Sequence, residues 1–214
     1  MKNYLRKLID GGENQQLDFK YCVSDSRKIA KTLSAFSNSD GGRLLIGVRD
    51  NGSIAGIQSD EEIYMVDTAA HVFCRPEINY SILQHTIGKK TILEIEVARG
   101  SKRPYQAKDE NDRWISYFRH HDQNLAANNV LLQVWRKEEK GHGVVVKFSK
   151  AENTLLDFLS RNESITLSGF KRIAGISSYR AVSILANLII FKILVLKASE
   201  KGFTYELNPK EPAK

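Results

Sequence analysis

The sequence predicts an α+β chain in two parts. A mixed α/β domain occupies residues 1–138, a linker residues 139–151, a small domain of three helices and a hairpin residues 152–208, and a tail residues 209–214. Three observations predict this division. Strand-like and helix-like apolar patterns are mixed as far as about Val134; a charged, glycine-bearing segment, RKEEKGHG from Arg136 to Gly143, then interrupts them; beyond it only helical periodicity and one hairpin signal remain.

Composition sets the outer limits. At 214 residues, 42% hydrophobic and 27% charged, the chain suits one large core or two small ones. No run of about 18 apolar residues occurs, and MKNYLRKLID has the charged start of a leader peptide without its apolar centre. A cytoplasmic protein with no membrane partner is expected. Cys22 and Cys74 lie far apart without CxxC spacing, which predicts two buried thiols and neither a disulfide framework nor a zinc site. Of the 32 Lys and Arg and 25 Asp and Glu, 11 and 6 lie from Lys147 onwards, so 5 of the +7 net charge belongs to the last third. Positive charge gathered in one domain favours a polyanionic partner.

Element by element, LDFK (Leu17–Lys20) reads as a short strand with Asp18 and Lys20 on a polar face and Phe19 opposite. From Ser26 to Asn38, Ile29, Leu33 and Phe36 recur at helical spacing, and Gly41-Gly42 supplies the stop. RLLIGV is a mostly buried strand, and Asn51-Gly52 predicts a two-residue type I′ turn. The glycines Gly41, Gly42, Gly47 and Gly52 thus have backbone roles; the GxxxxGK[ST] phosphate loop is absent, which ranks ATP-driven chemistry last. Glu61–Phe73 predicts a helix with Ile63, Val66, Ala70 and Phe73 inward. EINYSIL (Glu77–Leu83) and KTILEIEVA (Lys90–Ala98) predict an antiparallel pair across Gly88, with Ile92, Ile95 and Val97 in the core. His120-His121 sits in a predicted loop, where adjacent extended side chains diverge, so a surface or RNA contact is expected rather than metal ligation. VVVKF (Val144–Phe148) reads as a strand. No GxSxG or HExxH motif occurs, which disfavours a small-molecule hydrolase.

ENQQLDFKYC followed by SAFSNSDGGRLLIGVRDNGSIAG resembles the Schlafen AlbA-type putative DNA-binding domain, and KRPYQA (Lys102–Ala107) and RWISYFRHHDQNLAAN (Arg113–Asn128) continue the likeness. The latter is similar to the family's strand, arginine-bearing turn and helix. The resemblance spans about Glu13 to Trp135 and implies a nucleic-acid-binding α+β domain. In animal Schlafen members it implies a metal-dependent endoribonuclease acting on structured RNA. By motif the nuclease carboxylates fall on Glu13, Asp18 and Asp50, which would hold Mg²⁺ or Mn²⁺ through hard oxygen ligands, with Lys20 at the phosphate. Asp18 stands where the family more often has glutamate, and Arg49 where it often has a second acid. Without a nuclease, no cofactor is expected.

The last third orders itself as NTLLDFLSRN with Leu155, Phe158 and Leu159 inward, TLSGFKRIAG with Leu167, Phe170 and Ile173, and SSYRAVSILANLIIFKIL with Ala181, Ile184, Leu185 and Leu188, with Gly175 in the turn between the second and third helices. LVLKASEKGFTYEL then supplies two strands. Three helices and a hairpin resemble the winged helix-turn-helix domains of bacterial regulators. That likeness implies DNA contacts from Ser177, Ser178, Tyr179 and Arg180 at the start of the third helix, Lys197 and Lys201 on the wing, and Lys171 and Arg172 near the backbone. Leu188, Ile189, Ile190 and Phe191 exceed one inward stripe, which makes a homodimer a candidate. The leading expectation is a DNA-binding transcriptional regulator, with RNA as the other nucleic-acid partner; the alternative is the Mg²⁺- or Mn²⁺-dependent endoribonuclease.

Overall fold

A computed structural model describes residues 2–140, 148–199 and 201–209 and divides the chain into two units, Met1–Ala127 and Asn128–Lys214. Unit 1 carries α1 (Lys2–Asp10), β1 (Leu17–Lys20), α2 (Ser26–Asn38), β2 (Gly42–Ile46), α3 (Glu61–His71), β3 (Cys74–Arg75), β4 (Tyr80–Ile87), β5 (Lys90–Val97), β6 (Gln106–Lys108), β7 (Trp114–Ile115), β8 (Tyr117–His120) and β9 (Gln123–Ala126). Unit 2 carries α4 (Asn129–Lys140), α5 (Lys150–Leu159), α6 (Leu167–Ala174), α7 (Ser178–Ile190), β10 (Leu194–Ser199) and β11 (Gly202–Leu207). Most of the strand expected at Val144–Phe148 lies outside the described residues, as do positions 210–214 of the tail.

The main sheet of unit 1 has the order β1-β2-β5-β4; β1 runs parallel to β2, and the other two pairings are antiparallel. The expected hairpin across Gly88 forms as β4 and β5, from Tyr80 opposite Val97 to Ile87 opposite Lys90. Period-two alternation gives the sheet two apolar faces. Leu44, Ile46, Leu93, Ile95 and Val97 face α2 and α3, where Ile29, Leu33, Phe36, Val66 and Ala70 complete the larger core. Leu17, Phe19, Leu45 and Ile92 face the other way, onto Leu5 and Ile9 of α1. Burying each such side chain contributes about 1.5–3 kcal/mol, enough to hold a nine-residue helix that is marginal alone. Lys2–Asp10 is therefore a structural helix.

Helix α2 spans the expected residues, capped by the Asp25 carboxylate accepting from the Arg27 amide. Three local expectations change. The Arg49–Ser53 turn centres on Asp50-Asn51, not Asn51-Gly52: the Gly52 amide donates to the Arg49 carbonyl (2.8 Å), and Gly52 is left-handed at φ 77° where Asn51 is not. That is a type I turn with a following glycine bulge, the next most common hairpin solution. Residues after His120 do not begin a helix; His121 turns left-handed (φ 56°), β9 pairs back on β8, and the next helix starts at Asn129. Arg119 lies within β8 and not in a turn. Of the two free cysteines Cys74 is buried, its thiol pushed up to about 12 by burial, while Cys22 is half-buried.

In unit 2, Leu155, Phe170, Ala181, Ile184, Leu185 and Leu188 form the core as expected, joined by Val130 and Val134 of α4. Helix α4, assigned by sequence to the first domain, packs on α7, and Lys137 Nζ bonds Asn187 Oδ1. The unit boundary accordingly falls between Ala127 and Asn128, upstream of the expected limit at 138. Ile173 is 36% exposed and does not enter the core; Ala174, one position on, packs there instead. No single helix among the described residues is long and apolar enough to cross a membrane.

Candidate nucleic-acid interface and buried carboxylate pair

In unit 1, β1 places Asp18 on the face that α2 covers, so the expected polar face is sealed and Asp18 is only 3% exposed. Its oxygens accept from Thr32 Oγ1 (3.2 Å) and meet Lys20 Nζ at 3.0 Å and an Arg119 guanidinium nitrogen at 3.6 Å. Glu13 lies beside it, half-buried, with Oε1 accepting from the Phe19 amide (2.8 Å). Burial raises the Glu13 carboxyl above its usual range; the Phe19 amide opposes this, and the hydrogen bond and charge of Asp18 add to it.

Arg119 completes the cluster from β8. One terminal nitrogen donates to Asn124 Oδ1 (2.9 Å), the other to the carbonyls of Asn14 (2.8 Å) and Leu17 (3.1 Å), and the guanidinium stacks 5.1 Å from the Phe36 ring centre. Asn124 in turn donates to Thr32, closing a network among β1, α2, β8 and β9. Glu13, Asp18 and Lys20 are thus brought together, while Asp50 stays exposed on its turn. Among the described residues no three His, Cys, Asp or Glu side chains are placed to share a metal ion. With Asp18 held by two cations and a hydroxyl, the carboxylate set does not fit a Mg²⁺ or Mn²⁺ site. The His120 and His121 rings lie 4.5 Å apart because His121 turns back, where an extended chain would part them.

In unit 2, α6 and α7 differ in direction by 112°, across a turn in which Gly175 is left-handed (φ 62°) and Ser177 Oγ accepts from the Arg180 amide. That angle lies in the range of helix-turn-helix pairs. The first turn of α7 is open: Ser177, Ser178 and Arg180 are exposed and Tyr179 is 83% exposed. Arg180 also donates to Ser149 Oγ (3.1 Å), the cap of α5. On α6, Arg172 is exposed and Lys171 half-buried; Lys197 is exposed on β10 and Lys201 beside the hairpin tip, where Ser199 pairs with Gly202. The hairpin is tied back by reciprocal backbone bonds between Ile165 and Tyr205 (3.0 and 2.8 Å).

The family model described as Schlafen, AlbA_2 matches residues 13–128, more than half of the chain. The chain belongs to the Schlafen AlbA_2 family. No curated protein matches it. Solved structures similar at low identity include the following two. The DIP2311 protein from Corynebacterium diphtheriae is 17% identical over 64% of this chain, which covers 30% of that one, with a TM-score of 0.45. The N-terminal domain of a putative ATP-dependent DNA helicase RecG-related protein from Nitrosomonas europaea is 21% identical over 50% of this chain and 81% of that one, with a TM-score of 0.38.

The Schlafen AlbA_2 match ends one residue past the end of unit 1, and its landmark residues have backbone duties here. Asn38 donates to the carbonyls of Tyr105 and Tyr117 (both 2.7 Å) and accepts from the Tyr105 amide (2.8 Å), tying the end of α2 to two distant segments. A Cβ on Gly41 (φ 75°) would stand 2.7 Å from the Val97 carbonyl oxygen, so the chain needs glycine there. What sequence reasoning missed in this Schlafen AlbA_2 domain is the role of Arg119: the family likeness placed an arginine in this segment, but not its burial against Asp18.

Proposed function

We propose that the chain is a DNA-binding protein, a transcriptional regulator whose unit 2 works as a winged helix-turn-helix module. One observation carries the reading: the first turn of α7, with Ser177, Ser178, Tyr179 and Arg180, projects exposed from a helical core. A recognition helix enters the major groove by its N-terminal residues, where base edges present a distinguishable pattern of donors and acceptors. Lys197 and Lys201 on the hairpin, with Lys171 and Arg172 on α6, supply phosphate contacts. The charge excess of the last third and membership of the Schlafen AlbA_2 family support the same partner class. Titration of a labelled duplex at rising salt tests it, because phosphate contacts release counterions and make affinity fall steeply.

The adjacency of Glu13 and Asp18 favours a second reading, an endoribonuclease acting on structured RNA. Against it stand the engagement of Asp18 by Lys20, Arg119 and Thr32 and the separate place of Asp50. Incubating tRNA with Mn²⁺ or Mg²⁺ and the protein tests this reading; cleavage that Glu13→Gln abolishes would support it, and no cleavage with either metal would remove it.

A further inference from the structure

Unit 1 has a cleft, lined by four cations and one tyrosine beside two acids, that neither the carboxylate cluster nor the α7 surface uses. Its volume is about 190 Å³, and Arg27, Lys28 and Lys31 of α2, Lys108 of β6 and Tyr117 of β8 line it. Lys28 and Lys31 are one turn apart on the same helical face, both exposed, and neither has a carboxylate partner among the described residues. The acids of the cleft are largely spoken for. Asp109 accepts from the Asn111 and Arg113 amides and from the Arg113 side chain, and Asp112 nearby bridges Arg27 and Lys108 at 3.2 Å each. Glu110 remains exposed at the rim.

The aromatic rings are arranged with the cations. Lys31 Nζ stands 5.1 Å from the Tyr117 ring centre, and the half-exposed Trp114 ring has the Arg75 guanidinium 4.3 Å and Lys108 Nζ 6.0 Å from its own. The strip therefore leads from the cleft, through Lys108, onto the β3-β6-β7 sheet.

We propose that this cleft and the Trp114 platform bind single-stranded nucleic acid, one backbone phosphate seated among Lys28, Lys31 and Lys108 and neighbouring bases stacked on Tyr117 and Trp114. The volume falls below the roughly 300 Å³ at which drug-sized pockets begin, so it takes a phosphate and not a whole nucleotide. Bases offer their faces to aromatic side chains only when unpaired, and alternation of cations with rings is how sequence-tolerant single-strand surfaces are built. The inference rests on the nucleic-acid reading above but uses a different surface from the α7 contact.

The test uses the full chain with a labelled single strand of about 12 nucleotides, a length within known site sizes, and its duplex. Lys28→Glu with Lys31→Glu lowers single-strand affinity at least about tenfold and makes its log-log salt slope shallower by about 1.4, from two lost phosphate interactions. Duplex affinity stays within about twofold and the charge-keeping Lys28→Arg with Lys31→Arg retains both. Single-strand binding also quenches tryptophan fluorescence, and Trp114→Phe removes that quenching. Unchanged single-strand affinity in the charge reversal, equal loss for the duplex, or quenching that survives Trp114→Phe overturns the inference. A natural chain that binds the single strand but not the duplex sinks the α7 reading and leaves this one standing.

Discussion

Asp18 and Arg119, 3% and 2% exposed, hold their opposite charges 3.6 Å apart beneath α2. The pair joins β1 to β8 across 101 positions of sequence, and Arg119 satisfies two carbonyls of the β1 approach at the same time. Burial pushes the Arg119 pKa down, and the charge of Asp18 is the first influence opposing it. Removing Asp18 leaves the Arg119 charge buried without this partner, and removing Arg119 leaves Asp18 with Lys20 and Thr32 but frees the Asn14 and Leu17 carbonyls of their guanidinium donor. Asp18→Ala is expected to cost about 3–5 kcal/mol in urea unfolding, and Arg119→Ala a similar amount. A loss below about 1 kcal/mol for either would show the pair to be dispensable.

Glu13 gives the fold a pH signature. A carboxyl whose pKa is higher folded than unfolded binds its proton more tightly in the native state. Its stabilising share is complete below the ordinary value of 4.5 and is lost as pH rises through the raised folded value. Glu13→Gln removes the titration, so the variant gains on the natural protein as pH rises from the ordinary value of 4.5 through the raised folded value. Urea midpoints of both proteins measure this; a difference constant with pH would contradict it.

Asn38 acts as a clamp at the end of α2. Asn38→Ala strands the Tyr105 amide and takes one donor from the Tyr117 carbonyl, while the Tyr105 carbonyl keeps the Ser34 hydroxyl; the loss is expected to be about 2–6 kcal/mol, at about 1–3 kcal/mol for each of the two groups. Thermal melting reads the loss, and duplex binding by the still-folded fraction is unchanged. An unaltered melting temperature would remove the clamp.

What the sequence made legible was local. Ile29, Leu33 and Phe36 define α2, and Gly88 between two β-rich runs defines the β4-β5 pair, because side-chain periodicity and a turn residue suffice for each. The inward positions of α7 were readable for the same reason. Helix α1 was not, since only a sheet face assembled from β1, β2 and β5 gives Leu5 and Ile9 something to cover. The burial of Asp18 was hidden too: alternation tells which face a residue takes, but not that α2, Arg119 and Thr32 close over it. The left-handed His121 converted an expected helix into a return strand, a choice made by one backbone angle that composition does not reveal.

The central claim is that exposed cations on unit 2 grip duplex DNA, and the most direct measurement is duplex affinity against salt for the natural protein and for Arg180→Ala with Lys201→Ala. Loss of two phosphate contacts predicts about tenfold or weaker binding at moderate salt and a log-log slope shallower by about 1.8. An affinity and slope unchanged by the double substitution would contradict the account.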